Sequence, residues 1–218
     1  MERAQPQRQF QAMSDWFDSL AEFNAKAVLV LGPDPAAAND NRQVVAVFPA
    51  AYRGEASELA RSDAFGIGWR STQSPLVAWK NLAATQGPDQ GWVSPWVERG
   101  ALAMVRVDFQ TAFGQGFECF MFCGRQFPDA DAAKRIAYTA MSVWPVIKAE
   151  VVATRYEVTP REMEVLLALA DGLTVREAGE RLGCADRTIG FHLSNLMDKL
   201  HATNRAAVVQ RACCLGLL

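Results

Sequence analysis

The sequence predicts an α+β protein of two parts. Residues 1–152 are expected to form an α/β/α sandwich with a central antiparallel sheet, and residues 159–218 an all-α domain of four short helices, with a linker at residues 153–158. Two observations lead to this fold class. Strand-like apolar runs precede a long helical pattern in the first part, whereas the second part shows only helical spacing with clear start and stop signals.

The composition is typical of a globular chain, because half of the 218 residues are hydrophobic and 21% are charged. The N-terminus is polar and no apolar run looks long enough to span a bilayer, so we expect a cytoplasmic protein without membrane contact. The cysteines are odd in number and lie in apolar stretches, which favours reduced thiols; they are Cys119, Cys123, Cys184, Cys213 and Cys214. No arrangement completes a metal site, so we expect no metal and no cofactor.

The elements of the first part follow in order. A helix is predicted around residues 15–24, and two short strands at residues 26–32 and 43–49 are separated by a turn-rich stretch. Two further strands are predicted at residues 101–109 and 116–124. These strands carry apolar residues on both faces, so the sheet needs a layer on each side.

One of these layers is supplied by the long helical pattern at residues 131–152, which we expect to be kinked or broken near Pro145. Together with the strands, this helix predicts the α/β/α sandwich.

The second part begins with two helices that have explicit ends. Residues 159–162 form a capping box with Pro160 at the first helical position, and this helix is expected to stop at Gly172. A second capping box at residues 174–177 starts the next helix, which Gly183 ends in a left-handed conformation.

The third helix is predicted at residues 186–200 and the fourth from Asn204 to Gly216. The third helix carries one apolar stripe, formed by Ile189, Leu193, Leu196 and Leu200. Its opposite face is polar except for Phe191, a large aromatic side chain that is costly to leave in water. Two short helices with a tight turn, followed by a helix with a narrow apolar stripe, form a helix-turn-helix pattern.

The stretch "LTVREAGERLGCADRTIGFHLSNLMDKLHATNRAAVVQRA", together with the opening "TPREMEVL", resembles the DNA-binding domain of LuxR-type transcriptional regulators. The resemblance implies that the third helix lies in the major groove of double-stranded DNA. The side chains that it would turn toward the bases are Arg187, Phe191, Ser194 and Asn195. Those expected near phosphates are Thr188 and Lys199, and on the second helix Thr174 and Arg176.

Three features of this domain weigh against strong DNA binding. Ala185 stands where the family usually has a capping serine, so either Asp186 caps the third helix or the helix begins unpaired. Gly190 stands at a position that commonly holds a basic residue in the family. Residues 151–218 also hold eight basic and eight acidic side chains, without the basic bias that many nucleic-acid-binding proteins show.

The fourth helix is apolar nearly all round, which favours a second apolar contact beyond its own domain. A homodimer is the natural partner, because paired recognition helices would read an inverted repeat.

The first part is similar in element order to the ligand-sensing domain of the same regulators, which implies a small amphipathic signal such as an acyl-homoserine lactone. Asp63 and Trp79 match two family pocket positions by spacing, but Ala50 and Gly54 occupy the positions of two expected aromatics. The candidate ligand-binding residues are Tyr52, Asp63, Trp69, Trp79, Trp92 and Thr111. It is an equally good explanation that the tryptophans fill the hydrophobic core and do not line a pocket.

An enzyme is not expected, because both histidines, His192 and His201, lie in the helical domain and no nucleophile has a base beside it. Two functions remain open. The chain is either a transcription factor controlled by a small molecule, or an orphan regulator that works without ligand, including an anti-activator that silences another regulator by heterodimerisation.

Overall fold

The computed structural model describes residues 11–33, 42–62, 77–82, 90–110 and 116–218. They form two compact units that divide between Ile147 and Lys148.

The N-terminal unit contains a five-stranded antiparallel sheet in the order β2-β1-β5-β4-β3. The strands are β1 (Ala25–Gly32), β2 (Gln43–Phe48), β3 (Val77–Asn81), β4 (Ala103–Gln110) and β5 (Gly116–Cys123). Strands β1, β4 and β5 are almost wholly buried, as their continuous apolar character predicts.

Helices cover both faces of this sheet. One face packs on α2 (Arg53–Arg61) and α3 (Gln90–Glu98) through a cluster that includes Leu29, Phe120 and Phe122. The other face carries the alternate residues of the same strands. The buried side chains of α1 (Gln11–Ser19) and α4 (Ala130–Arg155) supply the remaining apolar layer, and Nε1 of Trp16 in α1 donates a hydrogen bond of 3.0 Å to Oγ1 of Thr139 in α4. The predicted α/β/α sandwich with a central antiparallel sheet is therefore confirmed.

Helix α4 differs from the sequence prediction in two respects. It is unbroken at Pro145, where a kink or a break was expected, so the break is absent and the kink stays a prediction. Pro145 is exposed, so water can bind the carbonyl of Met141 that loses its helical partner. Its length and composition are also sufficient to cross a membrane, although no such run was recognised in the sequence. Its buried residues recur at helical spacing, as in the core helix of a globular protein; they include Ala133, Ile136, Ala140 and Trp144.

The C-terminal unit contains α5 (Pro160–Ala170), α6 (Val175–Leu182), α7 (Asp186–Lys199) and α8 (Arg205–Leu215). Thr159 and Thr174 both form the predicted capping boxes, and Gly183 adopts the predicted left-handed conformation. Gly216, the predicted end of the fourth helix, is left-handed as well. The core combines Leu166, Ile189, Leu196 and Val208 with further apolar residues of all four helices. The predicted four-helix domain is confirmed.

The predicted linker at residues 153–158 lies in the last turn of α4 and the residues before α5. Val152 and Tyr156 belong to the buried core of the C-terminal unit, so this unit extends upstream of Thr159. The boundaries at residues 152 and 159 remain predictions.

Candidate functional site

The turn between α6 and α7 is held tightly by backbone packing. The amide of Cys184 donates to the carbonyl of Gly179 at 3.0 Å, and Gly183 takes the left-handed conformation that lets the chain reverse. A Cβ atom on Gly179 would lie 2.8 Å from the carbonyl oxygen of Cys184. Glycine at position 179 therefore lets the start of α7 approach α6 more closely than any other residue would.

Helix α7 begins without a side-chain cap. Ala185 occupies the N-cap position, and no side chain there accepts a hydrogen bond from the first turn. The carboxylate of Asp186, the first helical residue, still lies at the positive end of the helix dipole. Of the two alternatives that the sequence left open, the structure has the uncapped start.

The face of α7 opposite its buried stripe is open. Arg187, Thr188, Phe191, Ser194 and Asp198 are exposed, and Asn195 is half-buried. The side chain of Phe191 is 63% exposed, and the guanidinium of Arg187 has no ion-pair partner among the described residues. The face thus offers free hydrogen-bond donors and one aromatic ring, which are the groups that read base edges and thymine methyl groups.

Helix α6 presents the other predicted phosphate contacts. Thr174 Oγ1 is engaged in the capping box, where it donates to Glu177 Oε2 at 2.7 Å. Arg176 is exposed, and its Nε lies 3.6 Å from Glu180 Oε1. An exposed ion pair of this length is weak, so Arg176 can exchange it for a phosphate.

Lys199 occupies a different environment from the one expected of a phosphate contact. Its Nζ donates to Glu162 Oε2 at 2.6 Å and to the carbonyl of Glu157 at 2.8 Å. Burial would raise the pKa of Glu162, but the hydrogen bonds from Lys199 and Thr159 outweigh burial and hold this pKa below its ordinary value. This contact was not predicted from the sequence.

Gly190 and His192 lie at the edges of the α7 face. A Cβ atom on Gly190 would have no heavy atom within 4 Å, so a larger side chain can be accommodated there. His192 is half-buried, its ring lies edge-on to Phe191, and its Nδ1 has no hydrogen-bond partner among the described residues.

The sheet face beneath α2 and α3 holds two of the predicted ligand-binding residues, Tyr52 and Trp92. The ring of Tyr52 stacks on Trp96 with a centroid distance of 5.5 Å, and Trp96 stacks on Phe122 at 3.6 Å. The guanidinium of Arg99 lies 4.0 Å from the centre of the Tyr52 ring. The Tyr52 ring is therefore packed against both Trp96 and Arg99.

The same sheet face carries a buried group of charges that was not predicted from the sequence. Arg106 pairs with Glu118 at 2.5 Å and with Asp108 at 2.9 Å, and Arg42 also binds Glu118. Burial raises the pKa of Asp108 to about 7, because the attraction of Arg106 offsets the lost hydration only in part. The alternation along β4 could have identified this group, since Arg106 and Asp108 interrupt an otherwise apolar strand.

Trp79 lies on the opposite face of the sheet. It is paired with Val105 on β4, whereas Met104 and Arg106 belong to the face beneath α2 and α3. The Trp79 ring is 38% exposed and contacts Phe127 edge-on. The structure thus does not bring Trp79 together with Tyr52 and Trp92. The other three candidates, Asp63, Trp69 and Thr111, lie outside the described residues.

The two cysteines of β5 are buried in the N-terminal unit. Burial raises the pKa of the Cys123 thiol to about 12, and burial likewise raises the pKa of Cys119. Among the described residues, no three His, Cys, Asp or Glu side chains are grouped so that they could hold a metal ion.

Comparison with known proteins addresses the helical unit. The model of the family described as "Bacterial regulatory proteins, luxR family" matches residues 157–212, which include α5, α6, α7 and the predicted groove-facing surface. Residues 157–212 therefore form a domain of the LuxR family. This confirms the resemblance seen in the sequence.

Three relatives illustrate the extent of the similarity. The transcriptional activator protein SolR of Ralstonia nicotianae is 42% identical over 28% of this chain and 25% of its own length. The transcriptional activator protein AnoR of Acinetobacter nosocomialis is 43% identical over 28% and 25%. The quorum sensing-dependent transcriptional regulator RpaR of Rhodopseudomonas palustris is 35% identical over 42% and 40%.

The chain therefore spans between a quarter and two fifths of the length of these relatives. Among solved structures, Escherichia coli SdiA covers 98% of this chain and 93% of its own, with 16% identity and a TM-score of 0.45. A similarity at that level adds nothing to the family assignment, which rests on the helical unit.

Proposed function

We propose that this chain is a cytoplasmic DNA-binding transcriptional regulator of the LuxR type without enzymatic activity. Helix α7 would enter the major groove of an inverted repeat, with Arg187, Phe191, Ser194 and Asn195 toward the bases. Thr174, Arg176 and Thr188 would approach phosphates.

The observation that carries this proposal is the open face of α7. Phe191 is 63% exposed at its centre, and the Arg187 guanidinium has no ion-pair partner among the described side chains. An ordinary solvated helix face has no reason to expose a phenyl ring, whereas a thymine methyl group offers that ring an apolar contact. Arginine is the residue best suited to a guanine edge, because it can donate two hydrogen bonds to O6 and N7.

The direct test is selection of binding sites from random duplexes by the full chain, followed by titration of Arg187→Ala on the selected sequence. We expect an inverted repeat, and we expect Arg187→Ala to lose about 1–3 kcal/mol of discrimination at one base position per half-site. Arg61→Ala is the matched control, since Arg61 is an exposed arginine on α2, outside the helical unit. Equal losses for the two variants would refute the assignment of the α7 face.

We further propose that the regulator acts as a homodimer through α8. The inner residues Val208, Ala212 and Leu215 pack in the domain core, while Ala206, Cys213 and the intervening Gln210 are exposed. A small, weakly polar surface of this kind allows two helices to approach closely. Oxidation of a Cys184→Ser, Cys214→Ser variant should cross-link Cys213 to its copy if α8 lies on the two-fold axis. A monomer under these conditions, with DNA present, would contradict the proposal.

For the N-terminal unit we propose control by a small amphipathic molecule, such as an acyl-homoserine lactone, at the sheet face of Tyr52 and Trp92. Asp63, Trp69 and Thr111 complete the candidate set, whereas Trp79 would not share this site. A ligand that binds only the folded state raises its melting temperature by mass action. Tryptophan fluorescence with octanoyl- and decanoyl-homoserine lactone tests this, because all six tryptophans precede Ile147.

The second candidate function is that of an orphan regulator or anti-activator that works without ligand. The stack of Arg99, Tyr52, Trp96 and Phe122 favours it, since these rings fill each other's faces rather than leaving them for a ligand. Native mass spectrometry of the chain purified from its source decides between the two. A bound small molecule supports the first candidate, and a copurified second regulator supports this one.

A further inference from the structure

Three helix ends meet around one ion pair in the C-terminal unit. Lys199 lies in the last turn of α7, and its partner Glu162 lies in the first turn of α5. The carbonyl that also accepts from Lys199 belongs to Glu157, just beyond the end of α4, where the backbone turns left-handed with φ of 54°. A cation at two helix C-termini and an anion at a helix N-terminus match the helix dipoles at all three places.

The anion of this junction is more deeply buried than the cation. The Glu162 side chain is 3% exposed and that of Lys199 is 26% exposed. One oxygen of Glu162 accepts from Lys199 Nζ, from the Thr159 amide at 2.8 Å and from the Thr159 hydroxyl at 3.0 Å. Removing the lysine would leave a buried carboxylate without its counter-ion, which is far more costly than losing an exposed ion pair.

From this geometry we infer that Lys199 is a positioning residue for DNA recognition and not a phosphate contact. Its bonds to Glu162 and Glu157 hold the C-terminal end of α7 against the start of α5 and the end of α4. They thereby fix the direction in which Arg187 and Asn195 point. The inference rests on the proposed function, because positioning matters only if α7 reads DNA.

Positioning and phosphate contact predict different dependences on salt. Each lost phosphate contact lowers the slope of log Kd against log salt concentration by about 0.9, which is about 1.8 for a symmetric dimer. A positioning residue changes the affinity for the cognate site while leaving this slope unchanged. Replacing Glu162 distinguishes the two roles of Lys199 further. Glu162 is anionic and buried, so it cannot itself bind a phosphate, and an effect of its replacement on DNA binding indicates positioning.

The experiment compares full-length wild type with Lys199→Met, Glu162→Gln, the double variant and Lys199→Arg, using fluorescence anisotropy on the selected site and on a scrambled duplex. We expect Lys199→Met and Glu162→Gln each to reduce the ratio of specific to non-specific affinity about tenfold, and the double variant to add little. Lys199→Arg should retain most of the ratio. Arg176→Met serves as the comparison, since it should lower the salt slope.

Hydrogen exchange of the DNA-free protein provides a second readout. The amides of residues 196–200, at the end of α7, should exchange about tenfold faster in both single variants, because the junction no longer holds this turn. This readout stands even if the wild type binds no DNA, so failure of the inference and failure of the proposed function are distinguishable. Unchanged exchange, or a lower salt slope with Lys199→Met while Glu162→Gln binds normally, would overturn the inference.

Discussion

Replacing Asp108 should remove a pH dependence from the stability of the N-terminal unit. Burial raises the pKa of this carboxyl from 3.8 to about 7 in the folded chain. A carboxyl group whose pKa is higher in the folded chain than in the unfolded chain binds its proton more tightly when folded. Its contribution to the free energy of unfolding is complete below the unfolded pKa and is lost as the pH rises through the folded pKa. Between pH 5.5 and pH 7, Asp108 is ionised in the unfolded chain, whereas in the folded chain it changes from almost fully protonated to half protonated.

The magnitude follows from this interval. Each unit of pH costs about 1.36 kcal/mol for one group, so one and a half units cost about 2 kcal/mol of unfolding free energy. For a unit of this size, that loss lowers the melting temperature by roughly 4–8 °C. No histidine contributes in the same range, because both histidines of the chain lie in the helical unit.

The assay is thermal unfolding at pH 5.5 and pH 8, monitored by tryptophan fluorescence, which reports on the N-terminal unit alone. Wild type should melt at lower temperature at pH 8, and Asp108→Asn should show little difference between the two pH values. Asp18→Asn, an exposed substitution on α1, is the matched control and should behave as wild type. A wild-type midpoint that does not change with pH, or an Asp108→Asn midpoint that falls as much as that of wild type, would refute the reasoning.

Three substitutions in the helical unit have clear expected outcomes. Gly190→Lys should stabilise α7 by up to ~1 kcal/mol, which thermal unfolding followed by circular dichroism checks. It should also steepen the salt dependence of DNA binding in a salt titration, since the lysine side chain enters open space beside the groove-facing surface. Ala185→Ser should raise the melting temperature by supplying the missing cap, worth about 1 kcal/mol, and an unchanged midpoint would argue against an uncapped start. Gly179→Ala should destabilise the unit by about 1–3 kcal/mol in urea unfolding, because its Cβ meets a backbone carbonyl; a neutral result would contradict the close approach of the turn.

The helical unit was the more predictable part because its signals are local. Each signal consists of residues within four positions of a helix end. The signals are the capping boxes at Thr159 and Thr174 and the terminating glycines at positions 183 and 216. The sequence therefore predicted every helix of this unit close to its observed bounds.

Other features depend on contacts that a local pattern does not contain. Helix α3 includes both Gly91 and Pro95, and burial of Trp92 and Trp96 against the sheet compensates for its weak helical propensity. It was not predicted, and neither were α2 and β3. The partner of Lys199 lies 37 residues away on another helix, so the sequence offered only the phosphate contact that the family resemblance implies.

The candidate ligand residues show a related limit of sequence spacing. Spacing matched Trp79 to a pocket position of the family, but the sheet face on which a side chain lies is decided by strand register. A shift of one residue would have moved Trp79 to the face of Tyr52.

The contribution of Val152 and Tyr156 to the core of the helical unit bears on how separable the two halves are. A fragment that starts at Thr159 would lack two side chains that its own interior requires, and would expose the apolar surface that they cover. Exchange of the helical unit between related chains, in the laboratory or during evolution, should therefore succeed when the crossover lies upstream, inside α4, and fail when it lies in the loop between α4 and α5.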